Sequence, residues 1–424
     1  MREDSLRRRA PALLLAVPFL IGIAVLKGLT VEIDTFHGSD AAVYQLPTIL
    51  QFRDGLHFSD YPSAQTPLFH LVMAGWGKLV GFELWKLRLL NVAISYGAAL
   101  ALLRLLRRTT SLADAPAFAL SLAFALSPYF FGASFTLLTD NLAILFALLA
   151  LERVHAYSRD GSMAAFAAAA LFTSAAVLTR QSFLWVALVA GAFLLLGERR
   201  APARLLAGGA LLALALAPLA ALAIEWNGLV PPSADPASCG LCTDKPGVGR
   251  DSLTLRTVGF TLGVLGVYAA LLLGPAASRV RRAPWALIGA GAAAGVAVLL
   301  ISPLEYKPIG FEPGDAGYLW QVSKHLPTVL GSSLLFWAAV PVGAAAAALL
   351  ARRAGWTSLA TVYLVCFLAV ALPVALVYQK YFDPFALLAV ALLARPPDFR
   401  VPADYAGVAL FCAGSVAYAL SFAG

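Results

Sequence analysis

The sequence predicts an all-α, polytopic integral membrane protein, and three observations carry that prediction. Of 424 residues, 60% are hydrophobic and 13% are charged, giving a mean hydropathy of +0.80. Apolar runs of membrane-spanning length recur from one end of the chain to the other. Arginines gather in short clusters between those runs, which is how loops on the cytoplasmic side of a membrane are marked. A net charge of +8 would suggest nucleic acid in a soluble chain. Here the bases serve topology, and no nucleic-acid partner is expected.

The clusters are "RRR" (7–9), "RLLRR" (104–108), "RVHAYSR" (153–159), "RRAPAR" (199–204), "RVRR" (279–282), "RR" (352, 353) and "RPPDFR" (395–400). Keeping them on one face requires an outward and a return span between successive clusters. The apolar runs supply spans at 11–31, 86–106, 114–133, 139–157, 162–178, 182–197, 204–225, 256–276, 284–302, 327–350, 356–378, 381–395 and 402–423. That makes about thirteen helices, in a range of eleven to fourteen, with the N-terminus cytoplasmic. The first run has no small-residue cleavage site behind it and reads as a retained helix. The scheme puts 19 of the 31 Lys and Arg inside with 8 of the 23 carboxylates, so the inner face carries +11 and the outer −3. The expected location is a cell (inner) membrane, crossed many times.

Residues 66–82 are apolar enough to tempt a span, but counting them would turn "RLLRR" outward. Residues 32–85 are therefore read as one long outer loop with two interfacial helices, near 40–53 and 67–80, the second carrying Trp76 and Lys78. A loop of that length among short turns points to function. Segments 226–255 and 303–326, rich in Pro and Gly, are expected to cap the outer face. Residues 86–225 form a helical core, 327–424 supply the C-terminal helices, and the chain is read as one membrane domain.

On the outer face, Asp140 in "LTDN" stands at the head of the fourth span, and Asp40 follows Gly and Ser before a helix-like run. Each has a plainer reading as a helix cap. Tyr44 and Gln45 crowd the surface of Asp40 together with Glu32, Asp34 and His37. Arg180 and Gln181 in "LTRQSFLW" interrupt some thirty apolar residues; a guanidinium there suits a phosphate, and snorkelling toward water is the alternative. "YQKYFDP" (378–384) adds Lys380, and loop 303–326 adds Lys307 and Lys324. Cys239 and Cys242 fall in an outer loop as a disulfide candidate; Cys366 and Cys412 lie within spans.

An outer loop with an Asp near its start, two interfacial helices and a second Asp heading the fourth span resembles the GT-C superfamily of polyprenyl-phosphate-sugar-dependent glycosyltransferases. Over about residues 30–190, "DAAVYQLP", "PSAQTPLFHL", "LTDN" and "RQSFLW" resemble motifs of the alpha-1,2-glucosyltransferase of lipid-linked oligosaccharide assembly. The Asp-Glu of that family is Asp40-Ala41 here, one carboxylate instead of two. The resemblance implies Asp40 and Asp140 as catalytic residues, with Arg180, Gln181, Tyr44, Gln45, Lys307 and Lys380 on the substrate. It implies no organic cofactor; a divalent metal is the ion it would admit, and Asp140 would join such a site. The partners it implies are a polyprenyl-phosphate sugar donor, a glycan, lipid or protein acceptor, and the lipid bilayer.

The chemistry suits these residue types. Sugar transfer from a lipid phosphate needs a base for the acceptor hydroxyl and cations for the departing phosphate. The competing expectation, a secondary transporter or flippase, would place ionisable groups near mid-membrane and show repeated, broken helices.

Overall fold

A computed structural model describes residues 10–25, 40–197, 201–234, 255–277, 284–306, 317–372 and 377–421. It begins with α1 (Ala10–Val25), a π-helical turn Ala41–Gln45, and helices α2 (Leu46–Asp54), α3 (Leu68–Val80), α4 (Leu84–Thr109), α5 (Asp114–Leu126), α6 (Pro128–Ser134), α7 (Asp140–Asp160), α8 (Met163–Thr179), α9 (Leu184–Gly197) and α10 (Pro202–Glu225). There follow α11 (Arg256–Ala277), α12 (Trp285–Ile301), α13 (Tyr318–Ser323), a hairpin of β1 (Thr328–Val329) and β2 (Ser332–Ser333), and then α14 (Leu334–Ala354), α15 (Leu359–Ala371), α16 (Asp383–Leu393) and α17 (Ala406–Ser421). The chain is an all-α, polytopic membrane protein.

Each of the thirteen expected spans contains a helix, and both interfacial helices are present. Among the described residues, five helices are long and apolar enough to cross a membrane unaided: Leu84–Thr109, Pro202–Glu225, Arg256–Pro275, Leu334–Ala354 and Pro402–Leu420. Of the other expected spans, five hold apolar helices of 10–17 residues, at most about 26 Å against roughly 30 Å of hydrocarbon. The expected span 114–133 is broken at Ser127, which is extended (φ −57°, ψ 137°) ahead of Pro128, because proline disfavours a helical residue before it. The expected span 327–350 opens instead with the hairpin, whose turn puts Leu330 at φ 47° and Gly331 at φ 76°.

Two compact units interleave along the chain. One comprises Met1–Arg108, Ala125–Thr243 and Ser415–Gly424; the other comprises Thr109–Phe124 and Asp244–Gly414. In the first, α7 packs along α8, and α8 in turn on α10. Around α2 and α3, Ile49, Phe52, Tyr61, Phe69, Met73, Leu87, Leu137, Leu142 and Trp226 form one apolar cluster. In the second, α11 and α12 both pack on α14. A Cβ at Gly343 would overlap the Leu262 carbonyl, so the backbones of α11 and α14 touch there as small-residue membrane interfaces allow.

Candidate active site

The head of α7 is held by two buried asparagines. Asn91 on α4 donates its Nδ2 to the carbonyls of Ala133 (2.7 Å) and Thr136 (2.5 Å). Asn141, the last residue of "LTDN", donates to Ser95 Oγ (2.7 Å), Phe130 O (3.1 Å) and Ser134 Oγ (3.1 Å). Both side chains satisfy backbone or hydroxyl acceptors that burial would otherwise leave stranded. Asp140 is thereby fixed in the first turn of α7, where the helix dipole favours an anion.

Opposite it, α8 ends at Thr179 and the chain turns extended at Arg180. Arg180 NH1 lies 2.7 Å from Asp140 Oδ2, with the two side chains only 10% and 24% exposed. The same guanidinium donates to Thr139 Oγ1 (3.4 Å) and to Ser182 Oγ (3.3 Å). Snorkelling does not describe this arginine, which turns inward to a carboxylate. Capping does not describe Asp40 either: it precedes the π-helical turn with no side-chain cap bond and is half-buried.

The other expected residues are placed as follows. Gln45 is buried, and its Oε1 accepts from His70 Nε2 (2.6 Å) and Ser63 Oγ (3.2 Å). Tyr44 is exposed and gives its carbonyl to Thr48 Oγ1 (2.8 Å). Gln181 Nε2 donates to the carbonyls of Ala64 (2.7 Å) and Leu229 (3.2 Å), and Thr66 Oγ1 donates to Val177 O (2.7 Å). The loop around residues 61–67 is thus tied to the end of α8 beside Arg180. Lys380 belongs to the second unit, with its ammonium over the rings of Tyr378 and Tyr381 at 5.9 and 5.4 Å. Lys307, Glu32, Asp34, His37, Cys239 and Cys242 lie outside the described residues.

His70 was not singled out from the sequence. It is fully buried among Phe52, Tyr61 and Phe69, and burial pushes its imidazole down to about 3. The neutral ring ties α3 to the π-helical turn through Gln45. A second latch joins the chain after α10 to the same loop: Trp226 Nε1 donates to Phe58 O (2.7 Å), and Ser233 donates from N and Oγ to Asp60 Oδ1 (2.8 and 2.6 Å). Nothing in a single stretch of sequence could pair residues so far apart.

Among the described residues no three His, Cys, Asp or Glu side chains gather as metal ligands. Asp140 faces a guanidinium rather than a second carboxylate, and no step below uses a metal.

No protein-family model and no curated protein matches the chain. Among solved structures it is similar to that of ArnT from Cupriavidus metallidurans in the apo state, at 15% identity and a TM-score of 0.39, over 89% of this chain and 76% of that one. An overlap of that grade leaves the chemistry to be argued from the side chains.

Proposed function

We propose that the protein is a membrane glycosyltransferase of the GT-C type, moving a sugar from a polyprenyl-phosphate donor to a hydroxyl acceptor at the extracytoplasmic surface. The observation that carries this reading is the Asp140–Arg180 pair at the head of α7. A partly buried guanidinium held against a carboxylate is poised to exchange partners, because a phosphate presents two oxygens to its planar fork.

In the reaction the acceptor hydroxyl loses its proton to a carboxylate, with Asp40 the leading candidate. The hydroxyl oxygen forms a bond to the anomeric carbon as the bond from that carbon to the phosphate oxygen breaks. The electron pair stays on the departing lipid phosphate, whose growing charge Arg180 stabilises. Donor binding draws Arg180 away from Asp140, and the released carboxylate orients the acceptor. Gln181 then serves chiefly by holding the loop at Ala64, and Gln45 by holding His70, while Tyr44 remains exposed for a substrate contact. The motif resemblance to an alpha-1,2-glucosyltransferase supports sugar transfer at this surface and leaves the sugar and acceptor to experiment.

Purified protein with a defined lipid-phosphate sugar tests the assignment. Asp40→Asn abolishes transfer if Asp40 is the base, and near-normal turnover rejects it. Sidedness is checked in a cysteine-free background: Ser59→Cys reacts with an impermeant maleimide on intact cells, and Ser158→Cys reacts only after the membrane is opened. The reverse labelling would place the acid-rich surface in the cytoplasm and end the extracytoplasmic assignment.

A further inference from the structure

Away from that site, α7 carries a second acid, and its surroundings differ. Glu152 is only 1% exposed and is met by three arginines: Arg104 NH2 at 3.2 Å, Arg108 NH1 closer still, and Arg153 NH2 at 3.8 Å. All three approach the same oxygen, Oε1; among the described residues Oε2 has no hydrogen-bond partner. The arginines are 54%, 49% and 37% exposed, so their guanidiniums reach the surface while the acid stays beneath it.

Among the described residues Glu152 is the carboxylate paired with these three guanidiniums, and one carboxylate cannot neutralise three. Three guanidiniums carry roughly fifteen N–H donors. Hydrogen bonds to Glu152 occupy two of them, one from Arg104 and one from Arg108. Helix-end stabilisation accounts for part of the arrangement, since Arg108 lies in the last turn of α4. It does not account for Arg104, a turn earlier, or for Arg153 on another helix. Because α4 is long and apolar enough to span a membrane, its final turns lie at headgroup depth.

We propose that Arg104, Arg108 and Arg153, held around Glu152, form a binding site for the phosphate of an anionic phospholipid in the adjoining leaflet. Planar forks match phosphate oxygens, and Glu152 acts as a buried anchor that keeps three like charges together when the site is empty. A soluble phosphate would meet the same donors. The position beside a spanning helix favours the lipid, whose acyl chains remain in the bilayer as its headgroup binds.

The test is native mass spectrometry of the full-length protein titrated with phosphatidylglycerol or phosphatidylcholine of identical acyl chains, with inorganic phosphate as a separate arm. Phosphatidylglycerol is expected to be retained in preference, by about fivefold for each arginine that engages it. Arg104→Gln/Arg108→Gln loses the preference, whereas Arg352→Gln/Arg400→Gln, which removes two charges elsewhere, keeps it. Glu152→Gln takes away the competing anion and strengthens phosphatidylglycerol retention, an opposite sign that an ion-pair cluster of purely structural value would not produce. If the double variant fails to fold, Arg153→Gln reads the same loss with one exposed side chain. Equal retention of the two lipids by the unaltered protein, or an undiminished preference in Arg104→Gln/Arg108→Gln, overturns the proposal. Displacement of phosphatidylglycerol by millimolar inorganic phosphate overturns the lipid assignment in favour of a soluble anion.

Discussion

The two acids of α7 stand twelve residues apart, about 18 Å along one helix, yet they keep different company. Among the described residues Asp140 pairs with Arg180, which is itself partly buried. Glu152 meets three, all more exposed than itself. Under the proposed function the first pair exchanges its partner for the donor phosphate, while three guanidiniums stay gathered on one buried carboxylate. The head of the helix then serves turnover and the later acid anchorage, a difference carried by burial and by the arginines at hand rather than by residue type.

The largest effect expected from this contrast is catalytic. If Arg180 stabilises the leaving phosphate as proposed, Arg180→Ala lowers transfer by about 10²- to 10³-fold, the scale for deleting one preorganised charge-stabilising group. Asp140→Asn is predicted to fall as far while binding the donor more tightly, since Arg180 is no longer shared. The double variant should lose little more than the worse single one, because groups acting as a unit are not additive. Weaker donor binding in Asp140→Asn would break the idea that the pair competes with the phosphate.

Acid stability separates the floor beneath the outer loop from both clusters. His70 is neutral when folded, with its imidazole held near 3 by burial, and it gains a proton near 6.5 once unfolded. Its folded value is depressed, so its contribution to stability is fully present above pH 6.5. It is lost as pH falls through the window from 6.5 toward 3, at up to about 1.4 kcal/mol per pH unit. Denaturation followed across that window in detergent should show the slope, and His70→Leu should flatten it. An unchanged slope in the variant would assign the acid sensitivity to other groups.

Much of this architecture was legible because a membrane simplifies the code. Arginine clusters separated apolar runs cleanly enough that each expected span contains a helix, and residues 66–82, kept out of that count, hold α3, as short as α15 at 13 residues. The break at Ser127 had its signal in Pro128, which disfavours a helical residue before it. The hairpin had little, since Leu330 occupies a left-handed position where glycine or asparagine would be expected. At the site, Asp140 and Arg180 were each visible as charges out of place. Their meeting across forty residues, and the Gln45–His70–Ser63 network, depend on tertiary packing that no local pattern encodes.

A smaller effect tests the anchorage half of the contrast. Glu152→Gln leaves arginines facing a neutral amide, and the loss is predicted at roughly 1–3 kcal/mol of stability, the range for removing a charged partner from a buried hydrogen-bonded site, lessened by the exposure of the arginines. Asp140→Asn, at a more exposed position in a helix end, should lower the melting temperature less. Equal losses would mean that both acids are structural, and the distinction between exchange and anchorage would fail.

The smallest effect asks whether the end of α7 communicates with its head. Gly161 closes α7 in the left-handed conformation (φ 62°), and Ser162 then caps α8 by accepting from Ala165 N at 3.3 Å. Removing such a cap costs about 1 kcal/mol, and α8 is the helix that delivers Arg180 at its far end. Ser162→Ala is thus expected to lower the melting temperature by a few degrees while leaving the transfer rate and donor affinity unchanged. Locality is the reason: Asn91 and Asn141 pin the head of α7, and Thr66 and Gln181 pin the end of α8, by bonds that do not pass through the Gly161–Ser162 turn. A fall in donor affinity in Ser162→Ala would show that the Asp140–Arg180 geometry depends on the opposite end of the helix pair, and would replace two independent sites with one coupled device.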